Sequence, residues 1–151
     1  MNNVSAQLLE IIGKTKTIFS EISDTEWNYQ ISPSKWTKKE ILGHLIDSAT
    51  NNHQRFVRLQ FEENPTIYYD QNKWVSIQNY LNAPVENLIL FFEIYNKHLA
   101  HILTQIPEDK YKNQCNVNKE QPLTLEWIAK DYIRHMKHHL NQIVGEKYIF
   151  S

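Results

Sequence analysis

Two histidines near the end of the chain have the spacing of ligands to a single metal ion. His135 and His139 stand four residues apart, and side chains at that spacing share one face of an α-helix. Two imidazoles on one helix face can both reach one ion, most commonly zinc. A His-Glu-x-x-His peptidase would carry glutamate directly after the first histidine, but Met136 stands there, so peptidase activity is not expected.

A third histidine, His44, lies in an earlier segment of helical periodicity, beside an apolar stripe. Polar side chains follow it on the same sector at helical steps: Ser48, Asn51, Asn52 and Arg55. Such side chains are costly beside a core without partners, so this polar strip is more typical of a cavity or site than of plain packing. If the two helices run antiparallel, His44 lies level with His135 and His139. Three neutral imidazoles with an open position are typical of catalytic zinc and also suit nickel or iron.

The other four histidines have plainer interpretations. His138 lies further round its helix, towards the polar flank, and is the weaker ligand candidate beside His135 and His139. His53 follows His44 by nine residues, roughly 13 Å along a helix, which is too far to share its ion and predicts a packing role. A solvated face is predicted for the remaining two, His98 and His101.

Two arginines and the single cysteine leave alternatives open. Arg55 and Arg58 could hold an anionic substrate, or they could form ordinary salt bridges to Asp47 or Glu62. Cys115 is predicted to be a bystander thiol in a polar loop, whose basic neighbours in sequence are Lys112 and Lys119.

Four amphipathic segments must position these side chains. Apolar residues recur at three- and four-residue steps in each of them, over residues 4–22, 37–60, 85–106 and 124–144. Thr37 and Glu40 have the spacing of a capping box at the start of the second helix, and Gly145 ends the fourth. Four helices of similar length predict an all-α four-helix bundle. The long connection over residues 61–84 allows a crossover, and hence up-down-down-up order.

Composition excludes several functional classes. The chain has 151 residues, 41% of them hydrophobic, which predicts one domain over residues 1–151 that folds without disulfide or metal staples. Only 3 glycines argue against a glycine-rich phosphate loop, and 16 basic against 17 acidic residues argue against nucleic acid as a partner. No apolar run approaches the roughly 18 residues of a membrane span. The start of the chain has no signal-peptide pattern, and its one cysteine suits a reducing cytoplasm.

Three motifs together resemble the DinB-like family of metalloenzymes. They are Lys35-Trp36-Thr37-x-x-Glu40-Ile41-x-Gly43-His44-Leu45-x-Asp47-Ser48, then Asn51-Asn52-His53-Gln54-Arg55-Phe56, and finally His135-x-x-His138-His139-x-x-Gln142. The resemblance covers nearly all of the chain. It implies a four-helix bundle in up-down-down-up order and a three-histidine metal site formed by His44, His135 and His139. Some members of this family resemble thiol-dependent S-transferases or isomerases that use low-molecular-weight thiols.

Several further residues are candidates for supporting the metal ligands or lining a substrate pocket. Asp47 and Gln142 each stand three residues from a candidate ligand and are candidates to orient it or to line the site, with ordinary surface polarity as an equal alternative. Ser48, Asn51 and Arg55 belong to the polar strip, and His138 neighbours the ligand pair. Residues of the crossing connection could cover the metal and shape the pocket: Tyr69, Asp70 and Trp74.

These observations favour a cytoplasmic metalloenzyme whose divalent ion activates water or a substrate thiol, as a hydrolase or a thiol-dependent S-transferase. The catalytic groups themselves are not predicted. A non-enzymatic metal-binding or stress-response bundle is the alternative, and a metal-free bundle with a vestigial site is a third. The expected partner is a small-molecule substrate, with neither nucleic acid nor a membrane, and a homodimer is compatible with the sequence.

Overall fold

Four long α-helices dominate the computed structural model of the protein, which describes residues 1–145 and 150–151. They are α1 (Asn2–Ser20), α3 (Lys38–Arg58), α5 (Val85–Gln105) and α6 (Leu125–Val144). Two shorter helices, α2 (Asp24–Asn28) and α4 (Gln71–Gln78), lie in the first and second connections. The third connection carries a small antiparallel pair of strands, β1 (Gln114–Cys115) and β2 (Leu123–Thr124). Short 3₁₀ turns occupy Tyr80–Asn82 and Glu108–Lys110.

The long helices follow the predicted up-down-down-up order. Helix α1 packs against α5 and α6, and α3 packs against the same two helices. The start of α1 meets the end of α5, where Ser5 Oγ donates to the Ala100 carbonyl at 2.7 Å, so these two helices are antiparallel. Helices α3 and α5 are parallel, because Lys39 at the start of α3 donates to the Leu81 carbonyl just before α5 begins. The crossover between them, residues 61–84, makes this order possible.

Helix boundaries follow the capping signals in the sequence. The Thr37 backbone N–H donates to Glu40 Oε2 at 2.8 Å, and the Glu40 N–H donates to Thr37 Oγ1 at 3.1 Å. This reciprocal pair satisfies two amides at the start of α3 that have no partner within the helix. Gly145 ends α6 with a φ of 65°, a left-handed conformation that glycine adopts without steric cost.

The two short helices were not expected from periodicity. Helix α2 begins at a capping box between Ser23 and Glu26 and places Trp27 in the core with 1% of its surface exposed. Helix α4 begins at Asp70, whose carboxylate accepts the backbone N–H groups of Asn72 and Lys73. Helices of five and eight residues are too short for a periodic apolar pattern to develop.

The core lies between the apolar faces of the four long helices. On α6 the predicted inward residues are all buried: Leu125, Ile128, Tyr132, Met136, Leu140 and Ile143. One buried polar pair crosses this core, where the Tyr132 hydroxyl donates to Asn96 Oδ1 at 2.5 Å. Within the part of the chain that the structure describes, no helix combines the length and apolar character needed to cross a bilayer.

Candidate metal centre

The structure brings His44, His135 and His139 together at one end of the bundle. His44 is fully buried near the start of α3, and the other two are partly buried near the end of the antiparallel α6. The Nε2 atoms of His44 and His135 lie 3.2 Å apart. One ring nitrogen from each of the three histidines lies within 4.8 Å of the other two.

The separation of the His44 and His135 nitrogens fits a metal ion held by imidazole nitrogens. A zinc–nitrogen bond is about 2.0–2.1 Å long, so two nitrogens at a tetrahedral angle lie about 3.3 Å apart. The 3.2 Å separation of the two Nε2 atoms is close to that value. The donor set is all nitrogen, which suits zinc, nickel and iron rather than magnesium or calcium.

The surroundings keep the three rings neutral, as a metal ligand requires. Burial and the neighbouring histidines lower the pKa of His44 to about 3. Burial and the charge of His139 lower the pKa of His135 to about 4. Burial also lowers the pKa of His139, although its hydrogen bond to Gln142 acts in the opposite direction. At neutral pH each ring therefore offers a nitrogen lone pair.

Gln142 orients one of the three rings. His139 Nδ1 lies 2.8 Å from Gln142 Oε1, and since an amide oxygen only accepts, the proton of His139 must sit on Nδ1. This leaves Nε2 of His139 free to bind an ion. The amide nitrogen of the same side chain lies 3.2 Å from Nε2 of His138, which is exposed. Gln142 is thus a supporting residue whose hydrogen bond fixes the tautomer of His139.

His44 is held by packing instead. Its Nδ1 atom is buried and has no hydrogen-bond partner in the part of the chain that the structure describes. The Trp36 ring lies 5.0 Å from the His44 ring between centroids, and the rings of His135 and His139 lie at 5.1 and 4.7 Å. Aromatic neighbours therefore fix the orientation of this ring.

Ser48 connects the histidine cluster to the crossover. Its Oγ atom lies 3.5 Å from His135 Nδ1, and Ser48 and Tyr69 line the same cavity. Burial, together with the charge of Asp47, raises the pKa of Tyr69 to about 12, so this phenol stays protonated. Tyr69 also packs against Trp74 with ring centroids 5.1 Å apart.

A cavity of about 250 Å³ opens beside His135. Among the residues predicted to line a pocket, Ser48, Arg55 and Tyr69 contribute to its wall. Sequence reasoning missed other lining residues: Tyr68, Gln71, Val117, Lys119, Leu123, Trp127 and Asp131. Asp131 could have been found, since it precedes His135 by four residues and so lies on the same face of α6. Trp127 stands a further turn back.

Three of the candidate supporting residues have other roles. Asp47 Oδ1 accepts from the Tyr80 hydroxyl at 2.6 Å and from Gln78 Nε2 at 2.7 Å, and burial raises the pKa of its carboxyl. Asn51 donates to the Asp47 carbonyl, and Asp70 caps α4. Asp47 thus links α3 to the crossover, and Asn51 forms its hydrogen bond within α3. Asp70 lies at the start of α4, which is part of the crossover.

The two arginines have different surroundings. Arg58 forms a salt bridge with Glu62, Nε to Oε1 at 2.7 Å, on the surface. Arg55 forms none with Asp47 and lines the cavity instead. The location of Cys115 differs from the predicted polar loop, because it is fully buried in β1 and the cations that act on it are Arg55 and Arg58. Burial nevertheless raises the pKa of its thiol.

The remaining histidines lie apart from the cluster. His53 Nδ1 lies 2.8 Å from the Tyr95 hydroxyl, and the exposed His98 packs edge-on against His53 with ring centroids 5.4 Å apart. His101 is exposed on α5.

The chain is similar in sequence to known proteins. A family model described as the DinB superfamily matches residues 7–143. "Putative metal-dependent hydrolase YfiT" of Bacillus subtilis is 26% identical over 138 residues, which cover 90% of this chain and 78% of that protein. "Putative metal-dependent hydrolase OB0782" of Oceanobacillus iheyensis is 28% identical over 111 residues, covering 73% of this chain and 64% of that protein.

A solved structure has the same architecture. The structure of YfiT from Bacillus subtilis, described as "a probable metal-dependent hydrolase with an unusual four-helix bundle topology", matches with a TM-score of 0.84. The match covers 93% of this chain and 82% of that one, at 22% sequence identity. At 22% identity, this similarity shows that the two chains share the four-helix-bundle fold.

Proposed function

This chain belongs to the DinB superfamily, and from that premise we propose that it is a metal-dependent hydrolase of small molecules. The proposed ligands of its divalent ion are His44, His135 and His139. The observation that carries the proposal is their convergence: three ring nitrogens lie within 4.8 Å of one another beside a cavity. The names of the relatives, metal-dependent hydrolases, support the same reaction class.

The surroundings of each proposed ligand set its protonation state or its tautomer for metal binding. His44 and His135 stay unprotonated far below neutral pH, and Gln142 holds the proton of His139 on Nδ1. A divalent ion bound there would lower the pKa of a coordinated water to about 7, or hold a thiol as thiolate. The aromatic wall beside His135 would exclude bulk water from a bound substrate.

Asp131 is a candidate proton acceptor within the cavity wall. Its carboxylate lines the cavity one helical turn before His135. It also accepts hydrogen bonds from Nε and Nη2 of Arg134, at 2.8 and 2.5 Å, which fix the orientation of the carboxylate. Asp131 is therefore placed to accept or orient a proton of the bound substrate.

Thiol-dependent transfer is the second candidate, and one observation favours it. Met136 is fully buried where a His-Glu-x-x-His enzyme would have its general base. A metal-bound thiolate is itself a nucleophile and needs no separate base.

Metal content tests the site. We expect untagged wild-type protein to bind about one divalent ion per chain by elemental analysis, and His44→Ala to lose most of it. The matched control is His101→Ala, which removes an exposed imidazole from α5 and should keep the wild-type content. Equal content in His44→Ala and wild type would exclude the three-histidine site.

Turnover tests the reaction. Metal-loaded protein is assayed against ester, amide and lactone panels, and then against electrophiles with low-molecular-weight thiols. Ester, amide or lactone cleavage that His44→Ala abolishes supports the hydrolase, and thiol consumption supports the transferase. Metal-loaded protein that is inert in both panels would favour a non-enzymatic metal-binding bundle.

A further inference from the structure

The Arg55 guanidinium is a partly buried cation that lacks an ion-pair partner among the described residues. Its Nη1 donates to Asn52 Oδ1 at 3.3 Å and its Nη2 to the Ile67 carbonyl at 3.0 Å, both neutral acceptors. Its Nε atom is buried without a hydrogen-bond partner. Burial lowers the pKa of this group, which shows how poorly its charge is solvated. A charge in such a position is costly unless an anion offsets it.

This guanidinium forms part of the cavity wall next to His135. A line of side chains on α3 connects the two groups. Arg55 contacts Asn52, Asn52 Nδ2 lies 3.3 Å from Ser48 Oγ, and Ser48 Oγ lies 3.5 Å from His135 Nδ1. Ser48 and Arg55 are seven residues apart, about 10 Å along a helix. A small molecule in the cavity can therefore reach from the cation to the histidine cluster.

The charges in the cavity wall leave an unbalanced positive charge. Asp131 is the one carboxylate among the described residues that line the cavity; its charge acts on Arg55, and it also pairs with the exposed Arg134. Lys119 lies over the Trp127 ring, with its Nζ 5.3 Å from the ring centroid, at the outer part of the wall. Two cations of the wall, Arg55 and Lys119, therefore face one carboxylate, which leaves a net positive charge. The planar guanidinium of Arg55, the inner of the two, matches the two oxygens of a carboxylate.

We propose that this cavity binds a small molecule with one carboxylate, that Arg55 holds the carboxylate, and that the rest of the molecule extends along the aromatic wall towards His135. The inference rests on the proposed function in that it places the reactive part of the substrate at the metal. The net positive charge of the wall suits one carboxylate, and the walls formed by Tyr68, Tyr69 and Trp127 suit an apolar or aromatic body.

Benzoate is the probe, and benzamide is its neutral counterpart of nearly the same shape. Binding is measured by calorimetry and by the NMR shift of the Trp127 indole, first on chelator-treated protein, where a carboxylate cannot bind through a metal. We expect benzoate to bind and benzamide to bind at least tenfold more weakly. Loss of a charge-assisted hydrogen bond should weaken benzoate binding about 10- to 100-fold in Arg55→Gln.

Arg58→Gln is the matched control, because it removes the same charge three residues away, outside the cavity. It should bind benzoate as wild type does. Arg55→Lys keeps the charge without the planar fork and should bind with intermediate affinity. Benzoate binding that is unchanged in Arg55→Gln, or benzamide binding as tight as that of benzoate, would overturn the proposal.

Two measurements keep this test independent of folding and of the metal. If Arg55→Gln does not fold, the proposal is decided on wild-type protein by comparing the binding of benzoate with that of benzamide. A shift of the Trp127 indole signal on benzoate binding places the ligand in the cavity, and the absence of a shift excludes that position. Metal content is determined on the same samples. If benzoate binding depends on Arg55 but the protein binds no metal, the anion site is retained and the proposed function is excluded. If the protein binds metal but benzoate binding does not depend on Arg55, the proposed function is retained and the anion site is excluded.

Discussion

Gly43 lies directly against the ring of Tyr80, so close that a Cβ atom on residue 43 would come 2.1 Å from Tyr80 Cδ2. The contact docks the crossover onto α3 one residue before His44, and it lets the Tyr80 hydroxyl reach Asp47. Only glycine permits this approach, because any Cβ would overlap the middle of a buried ring rather than the end of a flexible chain.

Gly43→Ala should therefore destabilise the protein, even though alanine is the better helix former. Overpacking against Tyr80 should lower the free energy of unfolding by about 1–3 kcal/mol, as measured by urea denaturation. Gly13→Ala is the matched control in α1, where a Cβ meets no atom within 4 Å. That variant should gain about 0.5–1 kcal/mol from helix propensity. Equal effects at both positions would contradict the close approach.

Removal of Gln142 should weaken metal binding without abolishing it. Gln142→Ala takes away the acceptor that holds the His139 proton on Nδ1. Loss of such a supporting hydrogen bond typically costs 10- to 100-fold in metal affinity, a range we expect here. Competition with a chromophoric chelator measures it.

Two variants define the cause of that loss. Gln142→Glu keeps an oxygen acceptor and should retain most of the affinity. His138→Ala leaves the bond between Gln142 and His139 in place and should bind metal as wild type does. If His138→Ala weakened binding as much as Gln142→Ala, the exposed histidine would be a ligand.

Metal-free protein should lose stability on mild acidification. The pKa values of His44 and His135 are about 3 and about 4 in the folded state, against 6.5 ordinarily. As the pH falls below 6.5, the unfolded chain binds protons that the folded chain does not, so the free energy of unfolding falls. Each such histidine contributes about 1.4 kcal/mol per pH unit once well below 6.5. The raised pKa of the Asp47 carboxyl acts in the opposite direction.

Urea denaturation at pH 7 and pH 5 checks this expectation. The wild-type free energy of unfolding should fall by about 2–4 kcal/mol over this interval. His44→Leu removes one of the two groups and should show a clearly smaller fall, whereas His101→Ala, on the exposed face of α5, should match wild type. A wild-type stability that is level between the two pH values would contradict the burial of neutral rings.

The buried pair of Tyr132 and Asn96 should be strongly coupled. Tyr132→Phe leaves Asn96 Oδ1 in the core without its donor. We expect a loss of about 1–3 kcal/mol in the free energy of unfolding, the usual cost of an unsatisfied buried polar group. Tyr29→Phe, at an exposed tyrosine, is the control and should change little. A double-mutant cycle with Asn96→Leu should show that the two effects are not additive.

The four long helices were predictable because their signals are local. Periodic apolar residues and the Thr37 capping box place α3 and α6 within two residues of their observed ends. The order of the helices also followed, since the long crossover allows α5 to run parallel to α3. Convergence of the three histidines then depended only on helix face and antiparallel direction.

The cavity was less predictable, because its walls come from segments without periodicity. Tyr69 and Val117 reach the site from the second and third connections, whose paths depend on tertiary contacts such as Tyr80 against Gly43. Cys115 is buried because it lies in the short strand pair, and strands of two residues are too short to be predicted from a sequence pattern. Asp47 showed the limit of spacing alone, since it stands three residues from His44 and yet faces the crossover.

His44 and His135 stand 91 positions apart, on helices that meet only when the intervening chain is in place. An ion bound by both would act as a removable cross-link between distant parts of the polypeptide. A covalent link closing a loop of similar size restrains the unfolded chain by roughly 4–5 kcal/mol. A bound ion would therefore raise the free energy of unfolding of a domain that already folds without it, and metal-free chains would open more often.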